Sequence, residues 1–220
     1  MKTAPERRLA AVMYAELRNF TRLSEVLQAD RVLALTNEFF ALAANAAQAN
    51  DGIVVSVHND SVLAAFDAGN AEEFAHNALK AARAIQGQFG SIGERWKTEY
   101  GLPAAVSLGV HIGETVFGMA GPPAAQQFTA LGDCVSIAER LVHRARAGEI
   151  VFSLDLMKAL RRGIMPFDNL GGIFVTLREI FHHGADLFRS RMQVMRLHQF
   201  SQDQAKIDSS LRALLEQVLG

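Results

Sequence analysis

A chain of 220 residues, half of them apolar, is long enough to bury the core of one large domain, so extensive disorder is not expected. Its 22 basic and 23 acidic residues give a formal net charge of -1. That balance argues against a broad basic surface of the kind that binds nucleic acid or anionic lipid.

The cellular compartment is suggested by two features. The single cysteine, Cys134, excludes an internal disulfide and is consistent with a reducing environment. The N-terminal MKTAPERR has no apolar signal core, and no later stretch approaches the length of a membrane span. We therefore expect a soluble, cytoplasmic protein with no membrane insertion.

The first predicted elements are a strand and a helix. The apolar run Leu9–Tyr14 continues through Ala15 to Glu16 and is followed by the polar stretch Leu17–Thr21, which indicates a buried strand that ends in a carboxylate. From Asp30, apolar residues recur at helical spacing until Asn50. This second segment is predicted to be a helix.

A tight β-hairpin is predicted next. Two apolar runs, Ile53–Val57 and Val62–Phe66, flank the polar tip His58–Ser61. This arrangement places Asp60 at the turn. One interpretation is that the polar residues of the tip are there only because they tolerate positive φ. The other is that Asp60 is functional.

The middle of the chain predicts one helix and a second hairpin. The helix covers residues 71–89, with a polar loop after it that contains Trp96. The hairpin consists of Ala104–Ile112 and Thr115–Met119, joined at Gly113 and Glu114.

A short strand at residues 128–131 precedes a helix that begins at Asp133, a plausible N-cap, and ends near Arg144. Ser136 and Arg140 lie four residues apart on its polar face. A strand at residues 150–153 and a short helix at residues 154–161 follow.

The last part predicts two strands, residues 173–177 and 193–197, and a capped amphipathic helix from Ser201. The order of elements predicts an α+β fold with a mostly antiparallel sheet and helices packed on one side. We divide the chain into a domain at residues 1–200 and a C-terminal amphipathic helix at residues 201–220.

Two predicted strand ends carry carboxylates, Glu16 and Asp60. Mg²⁺ is commonly held by one or two carboxylates together with substrate phosphates. Backbone amides at a strand-to-helix turn bind phosphate well, and Leu17–Thr21 is such a turn. These features predict a divalent metal site over a polyphosphate.

In this order, the motifs resemble those of the catalytic domain of class III adenylate and guanylate cyclases. MYAELRNFTRLSE (residues 13–25) is similar to the strand with a metal-binding Asp and a Gly-Phe-Thr phosphate turn. SVHND (56–60) resembles the hairpin with a purine-selecting Lys and the second metal Asp. SLGVHIGETVFGMAG (107–121) resembles the dimerisation hairpin, and FTALGDCVSIAERL (128–141) the helix that orients ribose and stabilises the transition state.

The resemblance implies a ferredoxin-like palm and assigns roles to individual residues. Asp60 and Arg140 match the second metal ligand and the transition-state arginine. Glu16 stands in place of the first metal Asp. The phosphate turn is Leu17, Arg18, Asn19, Phe20 and Thr21, with Asn19 in place of Gly. Ser136 replaces the ribose-orienting Asn, Ser56 replaces the purine-selecting Lys, and Thr129 takes the partner position.

The implied reaction is conversion of ATP or GTP to a cyclic nucleotide and pyrophosphate with two Mg²⁺ or Mn²⁺ ions. In the family the site lies at a head-to-tail dimer interface, which implies a homodimer or, alternatively, a heterodimer in which this chain supplies the metal carboxylates. The replacements at Glu16, Ser56 and Ser136 predict weak activity or none.

Another hypothesis is a non-catalytic dimerising or nucleotide-sensing module. A diguanylate cyclase of the related GGDEF type is disfavoured, because the hairpin tip His58–Ser61 lacks the Gly-Gly-Asp/Glu-Glu-Phe run.

Overall fold

The fold is built on one sheet of eight strands in a computed structural model that describes residues 4–161, 173–180 and 192–199. Five α-helices accompany the sheet in these ranges. The strands are β1 (Glu6–Arg18), β2 (Gly52–His58), β3 (Ser61–Phe66), β4 (Ala105–Ala120), β5 (Gln127–Leu131), β6 (Ile150–Ser153), β7 (Ile173–Ile180) and β8 (Met192–Gln199). The helices are α1 (Phe20–Val26), α2 (Ala29–Gln48), α3 (Ala71–Tyr100), α4 (Asp133–Arg144) and α5 (Leu154–Arg161).

The sheet has the order β2-β3-β1-β4-β6-β8-β7, and β5 pairs with the C-terminal part of β4. Only the β4–β6 contact is parallel among the described pairings. The predicted α+β class with a mostly antiparallel sheet is therefore confirmed. The predicted strands near the C-terminal end are confirmed too, since β7 and β8 pair with each other.

The central strand β1 has both faces buried. Met13 and Ala15 point into the core beneath α2 and α3, whereas Val12 packs with Cys134 and Ala138 of α4. Successive side chains of a strand point to opposite faces. The helices therefore divide between the two faces of the sheet, whereas the sequence led us to expect them on one side.

The predicted second hairpin is wrong. β4 runs unbroken through Gly113 and Glu114, because these residues pair with Ala10 and Leu9 of β1 in a continuous antiparallel register. Glycine and a charged residue suggest a turn in isolation, but the neighbouring strand holds them extended. The antiparallel partner that returns along β4 is β5.

Helix α3 is longer than predicted. It begins with a capping box, in which the side chain of Asn70 accepts from the backbone of Glu73 and the side chain of Glu73 accepts from the backbone of Asn70. It continues past Phe89 because Trp96 is fully buried and packs edge-on against Phe89, with ring centroids 5.4 Å apart.

Helix α4 has the predicted bounds, although its N-cap is Gly132, one residue before the predicted Asp133. The helix proposed for residues 201–220, and with it the domain division, lies outside the described residues. Among the helices within the described ranges, none combines the length and the apolar character needed to cross a membrane.

Candidate active site

Asp60 lies at the tip of the β2–β3 hairpin. His58 and Ser61 form the last pair of the ladder, so the loop consists of Asn59 and Asp60 alone. Asn59 has φ of 48°, a left-handed conformation that Asn tolerates better than most residues. The predicted hairpin is confirmed. Asn59 adopts the left-handed conformation that the turn requires, and Asp60 is partly exposed.

Glu16 lies next to Asp60 because of the sheet register. On β1 it is paired with Ser61 of β3 on one side and with Ser107 of β4 on the other. The backbone amide of the following residue, Leu17, donates to the carbonyl oxygen of Asp60 at 2.8 Å. The two carboxylate-bearing residues are thus brought together at one end of the sheet, as the sequence predicted.

Tyr14 is a residue of this site that sequence reasoning missed. It lies two residues before Glu16 on the same face of β1, so strand alternation could have indicated it. Burial raises the pKa of the Tyr14 phenol, and the negative charges of Glu139, Glu16 and Asp60 raise it further, against a hydrogen bond with Ser61. All three carboxylates therefore act on one phenol.

The Glu16 carboxylate has two nitrogen-bearing neighbours, the guanidinium of Arg18 and the imidazole of His143. Its Oε1 accepts from Nη1 of Arg18 at 2.8 Å, and its Oε2 lies 3.5 Å from Nε2 of His143 on α4. The Glu16 side chain is only 16% exposed. Electrostatic interactions at such a site are stronger than they would be in open solvent.

The predicted phosphate turn is shorter than Leu17–Thr21. Leu17 and Arg18 still belong to β1, and the amide of Leu17 already donates to the carbonyl oxygen of Asp60. The chain turns at Asn19, which has φ of 67° and donates from its side chain to the carbonyl oxygen of Pro103 at 2.8 Å. Phe20 and Thr21 form the first turn of α1.

Ser136 and Arg140 lie one turn apart on α4, as predicted. Nε of Arg140 donates to the carbonyl oxygen of Ser136 at 3.2 Å, and the Ser136 side chain is exposed. Within the described residues, Arg140 forms no ion pair with Glu16 or Asp60 of its own chain. The structure therefore does not join Ser136 or Arg140 to the two carboxylates within a single chain, although His143 of the same helix lies beside Glu16.

Ser56 and Thr129, the predicted base-contacting residues, lie on different strands. Ser56 is exposed and faces Leu63 across the hairpin, just after an irregularity in the β2–β3 register. Thr129 is half-buried on β5 opposite Gly118. No hydrogen bond connects the two side chains in the described part of the chain.

The donor set suits a divalent ion shared with a substrate. In the ranges that the structure describes, no cluster of three or more His, Cys, Asp or Glu side chains has the geometry of a metal site. Glu16 and Asp60 supply two carboxylates, and hard ions such as Mg²⁺ and Mn²⁺ accept one or two of these when phosphates and water complete the shell. The residues present fit such an ion.

The sequence and the fold are similar to those of known proteins. The family profile described as "Adenylate and Guanylate cyclase catalytic domain" matches residues 3–195. A stretch of 137 residues, 61% of the chain, is 31% identical to Adenylate cyclase 1 of Rhizobium meliloti but spans only 20% of that protein. The chain thus spans a minor part of the length of such curated relatives.

Solved structures confirm the fold. The adenylyl cyclase CyaB from P. aeruginosa superposes with a TM-score of 0.75 at 20% identity, over 92% of this chain and all of that one. The guanylyl cyclase Cya2 superposes with a TM-score of 0.74 at 19% identity, over 91% of this chain and 96% of that one.

Proposed function

Because this chain belongs to the adenylate and guanylate cyclase catalytic domain family, we propose that it converts ATP or GTP to a cyclic nucleotide and pyrophosphate at the interface of two subunits. The observation that carries the proposal is the convergence of Glu16 and Asp60 at one end of the sheet. Since nucleoside triphosphates are its substrates, we place the domain in the cytoplasm.

In this proposal, Glu16 and Asp60 hold two Mg²⁺ or Mn²⁺ ions against the triphosphate. Bound there, such ions would make the ribose 3′-hydroxyl more acidic and neutralise the phosphates. The turn at Asn19, with Phe20 and Thr21 at the start of α1, binds the phosphates. Both features are contributed by one subunit.

The second subunit supplies α4. Ser136 contacts the ribose, and Arg140 neutralises the charge that develops on the α-phosphorus as the 3′-oxygen attacks. The exposed position of Ser136 supports this division, as does the lack, among the described residues, of an ion pair between Arg140 and Glu16 or Asp60 of its own chain. We propose a homodimer, with a heterodimer containing a second cyclase chain as the alternative.

Turnover is proposed to be slow. The hydroxyl of Ser136 is shorter than the amide that it replaces, and losing one transition-state hydrogen-bond donor typically lowers turnover by about 10²–10³. Ser56 supplies no charge for a purine, so that discrimination between ATP and GTP falls to Thr129 and the backbone. Glu16 adds a methylene to the first metal-binding arm.

The test is product formation by the purified protein with ATP or GTP and excess Mn²⁺, with the cyclic nucleotide identified by mass spectrometry. Asp60→Asn should abolish the product while preserving the fold. Asp30→Asn, which neutralises an exposed carboxylate at the start of α2, is the matched control and should leave the rate unchanged. Absence of product with either nucleotide from the wild-type protein would overturn the proposal.

A second candidate is a dimerising or nucleotide-sensing module without turnover. It is favoured by one observation: the Glu16 carboxylate is already engaged by Arg18 and His143. This candidate predicts a stable dimer by sedimentation and saturable nucleotide binding with no cyclic product. Sustained cyclisation would eliminate it.

A further inference from the structure

One side chain, that of Arg18, joins the end of β1 to the end of α4. Its Nη1 donates to Glu16, its Nε donates to Oγ of Ser107 at 2.8 Å, and its Nη2 donates to the carbonyl oxygens of Val142 and Ala145, the latter at 2.9 Å. The side chain is 23% exposed. Four acceptors from three elements thus surround a single guanidinium.

These acceptors suit arginine in particular. The last carbonyl oxygens of a helix have no partner within the helix, and a cation there also complements the helix dipole. A guanidinium presents five donors in a rigid plane, whereas an ammonium presents three on one atom. Ser107 is fully buried, and its hydroxyl donates a hydrogen bond to the carbonyl oxygen of Arg146 at 2.8 Å. The lone pairs of the Ser107 oxygen are thereby left to accept from Arg18.

We propose that Arg18 is a positioning residue that fixes the Glu16 carboxylate relative to α4, the helix that carries Ser136 and Arg140. The sequence suggested instead that Arg18 is part of the phosphate turn, but its guanidinium is taken by Glu16, Ser107 and the end of α4. This inference rests on the proposed function, in which Glu16 serves the site of its own subunit and α4 of the same chain completes the site of the other.

The charge of Arg18 should weaken metal binding at Glu16, whereas its hydrogen bonds should support turnover. Replacing Arg18 should therefore change metal affinity and turnover in opposite directions. The positive charge beside Glu16 opposes a second cation on that carboxylate, so removing it should tighten Mn²⁺ binding by roughly tenfold. The hydrogen bonds of Arg18 hold the end of α4 in place. Losing them should lower turnover by roughly ten- to a hundredfold, because a misplacement of about 1 Å has an effect of that order. A purely structural residue would not tighten metal binding when it is replaced.

Two variants separate these effects. Arg18→Gln removes the charge and most of the donors, whereas Arg18→Lys keeps the charge but cannot reach all four acceptors. Arg7→Gln is the matched control, because Arg7 is an exposed ion-pairing arginine on the same strand, nine residues from Glu16 and therefore roughly 30 Å away. Its loss should change nothing at the site.

The readouts are Mn²⁺ affinity by electron paramagnetic resonance, kcat, and amide hydrogen exchange over residues 141–148. We expect exchange at the end of α4 to be faster by about tenfold or more in both Arg18 variants, because charge-assisted hydrogen bonds to its carbonyls are lost. We expect lower kcat in both variants, and tighter Mn²⁺ binding in Arg18→Gln only.

The inference is overturned if both Arg18 variants show the same exchange and kcat as Arg7→Gln, or if Arg18→Gln binds Mn²⁺ no more tightly than Arg18→Lys. Should the wild-type protein form no cyclic nucleotide, the proposed function fails, but exchange and Mn²⁺ binding still decide the role of Arg18.

Discussion

Glu16 is paired with Ser61 in the β1–β3 ladder and therefore lies across from the residue that follows Asp60 at the hairpin tip. The amide of Leu17 extends this connection to the carbonyl oxygen of Asp60. Backbone pairing, and not a choice of rotamers, brings the two residues together. Replacing either side chain should leave the sheet intact, so a loss of function in such variants reports on chemistry.

Ser136→Asn should raise the rate of cyclisation. The substitution restores an amide where the sequence has a shorter hydroxyl, and one added transition-state donor is worth up to about 10²–10³ in turnover. Ser136 is exposed on α4, and serine and asparagine have similar helix propensities, so the melting temperature should barely change. The measurement is kcat with ATP and with GTP. An unchanged or lower kcat for both nucleotides would show that Ser136 does not face the ribose.

Gly109→Ala should destabilise the protein. Gly109 lies on β4 beneath α4, and an added Cβ would overlap the carbonyl oxygen of Ala138 and lie 2.5 Å from the amide nitrogen of Val142. Because both are backbone atoms, the helix has to move, and overpacking of this kind costs about 1–3 kcal/mol. Urea denaturation measures the free energy of unfolding.

Gly87→Ala is the control for that variant. Gly87 lies within α3, where an added Cβ has no neighbour within 4 Å, so alanine should stabilise the helix by about 0.5–1 kcal/mol. Equal effects of the two substitutions would contradict the close packing of α4 on β4.

Stability should fall in mild acid because of His111. Burial lowers the pKa of this imidazole below its ordinary value of 6.5; Asp155 raises it and Arg140 lowers it to smaller extents. Between the lowered pKa and about 6.5, the unfolded chain binds more protons than the folded one, so stability decreases as pH falls through that window. His111→Gln should reduce the difference in unfolding free energy between about pH 7.5 and about pH 5.

His76→Gln is the comparison for this effect. Burial also lowers the pKa of His76, but its side chain on α3 is only partly buried and has Lys80 and Glu72 beside it. Its replacement should flatten the pH dependence less than His111→Gln does. The reverse order would refute the assignment of the acid sensitivity to His111.

Cys134 should resist alkylation in the folded protein. The thiol is 2% exposed, and burial raises its pKa to about 11. The thiolate is the reactive form, and it is scarce at neutral pH when the pKa is so high. Labelling by iodoacetamide should be negligible in buffer and complete in urea. A cysteine introduced by Ser24→Cys on the exposed face of α1 should react at once in both.

Local patterns were enough to predict most of the elements. The bounds of α4 followed from its apolar face, and the β2–β3 hairpin followed from two apolar runs around a polar tip. Both signals arise within a dozen residues. The family motifs in addition placed Glu16 and Asp60 in one site, and the register of β1 and β3 does bring them together.

The errors came from contacts between distant parts of the chain. Gly113 and Glu114 looked like a turn because only pairing with β1 keeps them extended. The hydrogen bonds of Arg18 were missed because its partners Val142 and Ala145 lie more than a hundred residues away. The raised pKa of Tyr14 was overlooked because it results first from burial in the folded protein and then from the charge of Glu139, which α4 brings near.

The side chains of β1 alternate between the two faces of the sheet, and this has a consequence for folding. A slip of one residue against β3 and β4 would turn Glu16 inward under α3 and put Ala15 in its place. The misaligned chain could not bury that carboxylate without a large penalty. The residue proposed to bind metal therefore also helps to set the register of β1, because a chain folded in the shifted register would be less stable.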